Sequence, residues 1–154
     1  MLAFQRRTAR LQRAVLGSAR AVGEAQDRIT HIKRALDDTP GADPALAERA
    51  RRIETQLADL QVELSGDRTI RSRSEPTLPS IVSRVQRIVG GQWASTSVPT
   101  QTNRDAYRHA SELFRPVLSD LTRVIEVDLV RLEQEMDSAG APWTPGRVPR
   151  WSAE

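Results

Sequence analysis

The sequence predicts an all-α fold, an elongated antiparallel helical bundle in the manner of a coiled-coil hairpin. Three observations carry this. Arg, Ala and Leu are the commonest residues and 28% of the residues are charged, which is the make-up of long helices. Apolar residues recur in alternating steps of four and three over long stretches. Proline and glycine gather mainly between those stretches, where helices stop and start.

The first helix is expected over about 1–38. Its seam is Phe4, Thr8, Leu11, Val15, Ser18, Val22, Ala25, Ile29, Ile32 and Leu36, a sustained heptad. At 1.5 Å per residue such a helix is roughly 57 Å long, too long to be buried all round in a small globule. Pro40 and Gly41 stop it. Asp43 is then a good N-cap, with Pro44 at the first helical position.

The second helix is expected over about 44–65, with the seam Leu46, Ala50, Ile53, Leu57, Leu60 and Leu64, ended by Gly66. The two seams share one register, so antiparallel folding sets Leu36 near Leu46 and Ile29 near Ile53.

Residues 67–76 are polar and Arg-rich and read as a loop. A short helix follows at about 78–89, with Ile81, Val85 and Ile88 on one face and the pair Gly90–Gly91 as its stop. Trp93 falls in the next connector and is expected to be buried.

Thr102 is the expected N-cap of the last helix, about 102–138, with Asp105 close to a capping box. Its stripe is Tyr107, Ala110, Phe114, Val117, Leu118, Leu121, Ile125, Leu129, Leu132 and Met136. Pro116 is expected to kink it, and Gly140 to end it. Residues 141–154, with three prolines, form an extended tail in which Trp143 and Trp151 are expected to pack on the bundle. The second and short helices laid end to end match the first and last in length. The chain therefore reads as a bundle over 1–140 with three long arms, the middle one broken.

At 154 residues the chain has the length of one domain. The net charge is +3, and Lys33 is the only lysine among 23 cationic residues. With no cysteine, disulfides and thiolate metal sites are excluded and the redox compartment stays open. No apolar run approaches the roughly 18 residues of a membrane helix. The N-terminus lacks the uninterrupted apolar stretch of a secretory signal.

The first helix has no N-cap. Its early turns carry Arg6, Arg7, Arg10, Arg13 and Arg20 without an acidic residue. Cations near a helix N-terminus oppose the macrodipole, by up to about 1 kcal/mol each in the first turn. This favours a helix that continues upstream, in a chain that is the C-terminal piece of a longer protein.

Three segments carry a family resemblance: TPGADPAL, the joint EPTLPSIVSRVQRIVGGQWASTSVPT with Pro76, Pro79, Gly90, Gly91 and Trp93, and the tail GAPWTPGRVP with Trp143. Together they resemble the C-terminal helical region of bacterial sortilin-like BNR-repeat β-propeller proteins, often labelled glycosyl hydrolases. The resemblance implies an upstream β-propeller of the same protein as partner. It implies an extracytoplasmic location if the parent is exported. Any catalytic residues of that family would lie in the propeller, so none is carried over, and the hydrolase label rests on fold analogy.

The residues themselves carry little chemistry. His31 and His109 lack the spacing of a metal site. Asp37–Asp38 and the trio Glu133, Glu135 and Asp137 read as solvated helix faces rather than paired catalytic acids. Ser95, Thr96 and Ser97 have no implied base, and Gly90–Gly91 lacks the rest of a phosphate loop. No cofactor is expected. The candidate interaction residues are two acid-poor basic clusters, Arg6, Arg10 and Arg13 with Arg71, Arg73, Arg84 and Arg87, placed by the layout at one end. An acidic face on an adjoining domain suits them. Nucleic acid suits them less, because base-stacking aromatics are not interleaved. Finally, Ala14, Gly17, Ser18, Ala21 and Ala25 form a small-residue patch where a bulky group such as Trp93 is expected to approach. The function expected is a non-catalytic structural or protein-interaction module. The alternatives are a helical subdomain supporting a propeller hydrolase, and a free-standing coiled-coil adaptor.

Overall fold

The computed structural model describes residues 2–67, 78–93 and 99–153, with the backbone only at 92 and 93. The fold is an all-α helical bundle, and among the described residues every regular element is helical. The elements are α1 (Leu2–Asp37), α2 (Pro44–Ser65), α3 (Ile81–Trp93), α4 (Gln101–Arg123), a π-helical segment (Val124–Leu129) and α5 (Val130–Ser138).

The heptads of α1 and α2 bury as expected. All ten seam positions of α1, from Phe4 to Leu36, and all six of α2, from Leu46 to Leu64, are buried. Each fully buried Val, Leu or Ile contributes about 1.5–3 kcal/mol. The polar seam residue Thr8 is satisfied locally, its hydroxyl donating to the Phe4 carbonyl at 3.0 Å. At the turn, the Asp43 carboxylate accepts the Ala45 N–H at 2.9 Å, a side-chain cap with Pro44 as the first helical residue. Gly41 adopts φ +84° and Gly66 φ +82°, left-handed conformations that cost a glycine little.

Two compact units divide the chain. The first comprises Met1–Val22 and Asp59–Leu121. Its core includes Val15, Leu64, Val85, Phe114 and Val117. Phe4 and Tyr107 meet edge to face, with centroids 5.8 Å apart at 63°. The second comprises Gly23–Ala58 and Thr122–Glu154, with a core that includes Ile29, Ile32, Ile53, Leu57, Leu129, Leu132 and Met136.

The joint differs from expectation at both ends of α3. The helix begins at Ile81 rather than near Leu78, because the Ser80 hydroxyl caps it by accepting the Ser83 N–H at 3.2 Å. Leu78 precedes Pro79, which disfavours helical geometry there. At the other end, Gly90 and Gly91 do not stop the helix. Neither has a positive φ, and α3 runs through them to Trp93. A glycine permits a left-handed stop but does not impose one. Both glycines are exposed, and no described atom lies within 4 Å of where a Cβ would stand. Gly90→Ala is therefore expected to stabilise the chain by about 1 kcal/mol, the helix-propensity difference. Thermal unfolding checks this; a lower midpoint would show that Gly90 is needed for something other than helix. Gly17 is likewise exposed, and no described atom lies within 4 Å of where its Cβ would stand; the side chain of Trp93, its expected neighbour, lies outside the described atoms.

The last arm contains the largest departure. Thr100, not Thr102, caps α4, accepting the Asn103 N–H at 3.3 Å. Asp105 is no capping-box partner; it accepts from Gln101 and Arg108 at 3.1 and 2.9 Å. The helical span is unbroken at Pro116. Buried positions then run Ala110, Phe114, Val117, Leu121 and Val124, and resume at Leu129, Leu132 and Met136. The step from Val124 to Leu129 is five residues where a heptad allows four. The π-helical segment covers that step, because i→i+5 bonding takes up one extra residue. Leu118 is exposed and Ile125 half-buried, contrary to the expected stripe. Val124 takes the core position instead.

The arm ends in a Schellman motif at Gly140, φ +73°. The Ala141 N–H reaches the Met136 carbonyl at 3.0 Å, and the Gly140 N–H reaches that of Asp137 at 3.1 Å. The tail beyond is non-helical and held by the buried Ala141 and Thr144. Trp151 does not pack on the bundle; it is 86% exposed.

Candidate functional site

Three of the candidate interaction residues come together. Arg6, Arg10 and Arg13, with Ala9, line a shallow groove of about 440 Å³ on α1. The spacing of three, four and seven residues puts them on one helix face, turned away from the buried seam. All three are exposed, and among the described residues none has a carboxylate within ion-pair distance. The first turn of α1 contains no acidic residue.

The remaining candidates fall elsewhere or outside the description. The Arg84 Nε donates to the Pro79 carbonyl at 3.0 Å, tying the start of α3 to the residues before it. Arg87 lines a second depression, about 330 Å³, with Ser65, Leu78, Pro79 and Ser80 among its walls. Arg71, Arg73 and Pro76 lie outside the described residues, as do Ser95, Thr96 and Ser97. Trp93 is the last residue of α3 rather than part of a connector, its side chain lying outside the described atoms. Pro79 precedes the cap of α3, as a joint residue.

Trp143 is 42% exposed, and the Arg147 guanidinium sits 4.6 Å from its ring centroid. This cation–π contact lies within the tail. Arg147 also donates to the Asp137 carboxylate, and its side chain is 11% exposed.

Of the acidic trio of the last arm only Asp137 is exposed; Glu133 and Glu135 are withdrawn from solvent. Glu133 is 6% exposed, and Arg28 donates from one nitrogen to both its oxygens, at 2.7 and 2.9 Å. Glu135 accepts from Arg49 of α2 and from Arg131, one turn before it. Burial by itself would raise the Glu135 pKa. The hydrogen bonds and charges of Arg49 and Arg131 outweigh it and bring the carboxyl below its ordinary value. Lys33 pairs with Glu54 at 2.9 Å, joining α1 to α2. These carboxylates serve interhelical ties, each fixing one helix against another.

The π-helical segment explains why the trio lies where it does. Had the heptad continued unbroken, Asp128, Arg131 and Glu135 would occupy the core positions. The extra residue turns them to the flank of the seam, and Leu129, Leu132 and Met136 inward. There Asp128 and Arg131 share a cleft of about 360 Å³ with Arg49, Arg52, Ile53 and Gln56 of α2. The sequence signal was present in the phase of the last three apolar residues.

His31 and His109 are both exposed. Among the described residues, no three His, Asp or Glu side chains gather as metal ligands. No described helix is long and apolar enough to cross a membrane.

Comparison with known proteins finds no matching family model, no matching curated protein and no matching solved structure.

Proposed function

We propose that this chain is a non-catalytic helical module that attaches to another protein domain, as the C-terminal region of a larger sortilin-like β-propeller protein. The observation that carries attachment is the groove of Arg6, Arg10 and Arg13 on α1. These guanidiniums are exposed and unpaired among the described residues. An acidic face arriving there would gain charge-assisted hydrogen bonds. The propeller half of the proposal is supported by the sequence resemblance in the joint and the tail. In the hydrolase-supporting alternative the same attachment would steady a catalytic propeller. In the free-standing alternative the groove would serve a separate protein.

The test begins with the coding sequence immediately upstream of Met1. Where it encodes a propeller, the two parts are produced as one protein and treated with an arginine-specific dicarbonyl reagent. Arg6, Arg10 and Arg13 are expected to be protected relative to the helical chain alone, and exposed Arg150 to react equally in both. Equal modification of the groove in both, or the absence of a propeller upstream, would overturn the proposal. So would clear glycoside turnover by the helical chain alone.

A further inference from the structure

We propose that the outer face of α1 in the first unit receives an acidic amphipathic helix, which it pairs with in coiled-coil fashion. This rests on the attachment reading above and narrows it to one kind of partner element.

The face has its own seven-residue repeat, distinct from the buried seam. Leu2, Ala9 and Leu16 recur at one heptad position, and Arg6, Arg13 and Arg20 at another, four residues later. Leu2 is 69% and Leu16 42% exposed, and the three arginines are exposed as well. The groove between Arg6, Ala9, Arg10 and Arg13 lies on this face. One apolar position per heptad flanked by like charges makes a narrow seam with charged edges, half of the two-position seam of a full coiled coil. Exposed Gly17, next to Leu16, leaves open space for close approach.

Charge complementarity selects the occupant. The face carries no acidic residue from Leu2 to Val22, so a partner helix needs Glu or Asp beside its own apolar positions. A repeat of seven at 1.5 Å per residue places each Leu–Arg set about 10.5 Å from the next, a spacing that a second helix reproduces. An anionic membrane is a weaker match. The opposite side of α1 is buried in the bundle, leaving two exposed leucines to insert, whereas interfacial helices bury a broad apolar face. Nucleic acid would lack interleaved aromatics for its bases.

The experiment uses the full chain and a synthetic peptide of three heptads, with Leu and Ala at the apolar position and Glu at the flanking ones. A shuffled peptide of equal composition, duplex DNA, and vesicles of phosphatidylcholine with phosphatidylglycerol are the comparison probes. The heptad peptide is expected to bind and to become helical, more weakly at high salt. Arg6→Glu with Arg13→Glu should weaken it about tenfold or more, while the thermal midpoint of the free chain holds, since both side chains are exposed and such surface substitutions change stability little. Equal binding of the shuffled peptide would sink the helix proposal and leave charge-driven attachment standing. Binding of DNA or vesicles but of neither peptide would overturn both. A falling midpoint in the variant would show that these arginines serve the fold instead.

Discussion

Insertion of one alanine after Val127 is expected to destabilise the chain by about 5 kcal/mol or more, whereas deletion of Val127 should change stability by about 1 kcal/mol at most. The asymmetry follows from the phase of the last arm. Each residue added to a helix turns everything beyond it by about 100°. The π-helical segment already contains one residue more than the heptad allows. A second would swing Leu129, Leu132 and Met136 off the core, and all three are fully buried. Losing three such side chains at about 1.5–3 kcal/mol each gives the expected scale.

Deletion does the reverse. It removes the surplus residue, converts the π-helical segment to α-helix and leaves every core residue in place. Val127 is 57% exposed, so its own side chain contributes little. The Arg123–Asp128 ion pair, now five residues apart at 3.1 Å, would become an ordinary four-residue pair. Urea unfolding of the two variants decides the matter. Equal losses in both would show that the segment is not a one-residue phase correction.

The second large effect concerns Arg28. Arg28→Ala is expected to cost about 3 kcal/mol at neutral pH, because it leaves the Glu133 carboxylate buried without its partner. Arg28 is itself 30% exposed, so the pair retains some water and the lower end of the range applies. Replacing both residues with apolar ones of similar size, Arg28→Met with Glu133→Leu, should be nearly neutral. A double variant as unstable as Arg28→Ala would mean that the site needs the ions for more than mutual compensation. The Arg28 Nε, buried without a hydrogen-bond partner, already limits what the pair contributes.

The contrast between these residues shows what a sequence reveals. The seams of α1 and α2 were legible because a heptad is local and repetitive, and Asp43–Pro44 because a cap and a first-turn proline are chemically specific. The Gly90–Gly91 stop was misread because glycine only permits a turn, and nothing local compelled one. Burial of Glu133 was invisible because its partner lies 105 residues away. The basic groove was legible as a run of arginines. The Arg84 hydrogen bond to the Pro79 carbonyl was not, since it depends on backbone geometry before the helix.

The tail offers a practical handle. Trp143 lies under the Arg147 guanidinium, while Trp151 stands almost wholly in solvent. The two indoles therefore report different surroundings to ultraviolet light. With Trp93 and Trp151 changed to phenylalanine, Trp143 becomes an intrinsic optical gauge of whether the tail is seated, without any attached dye.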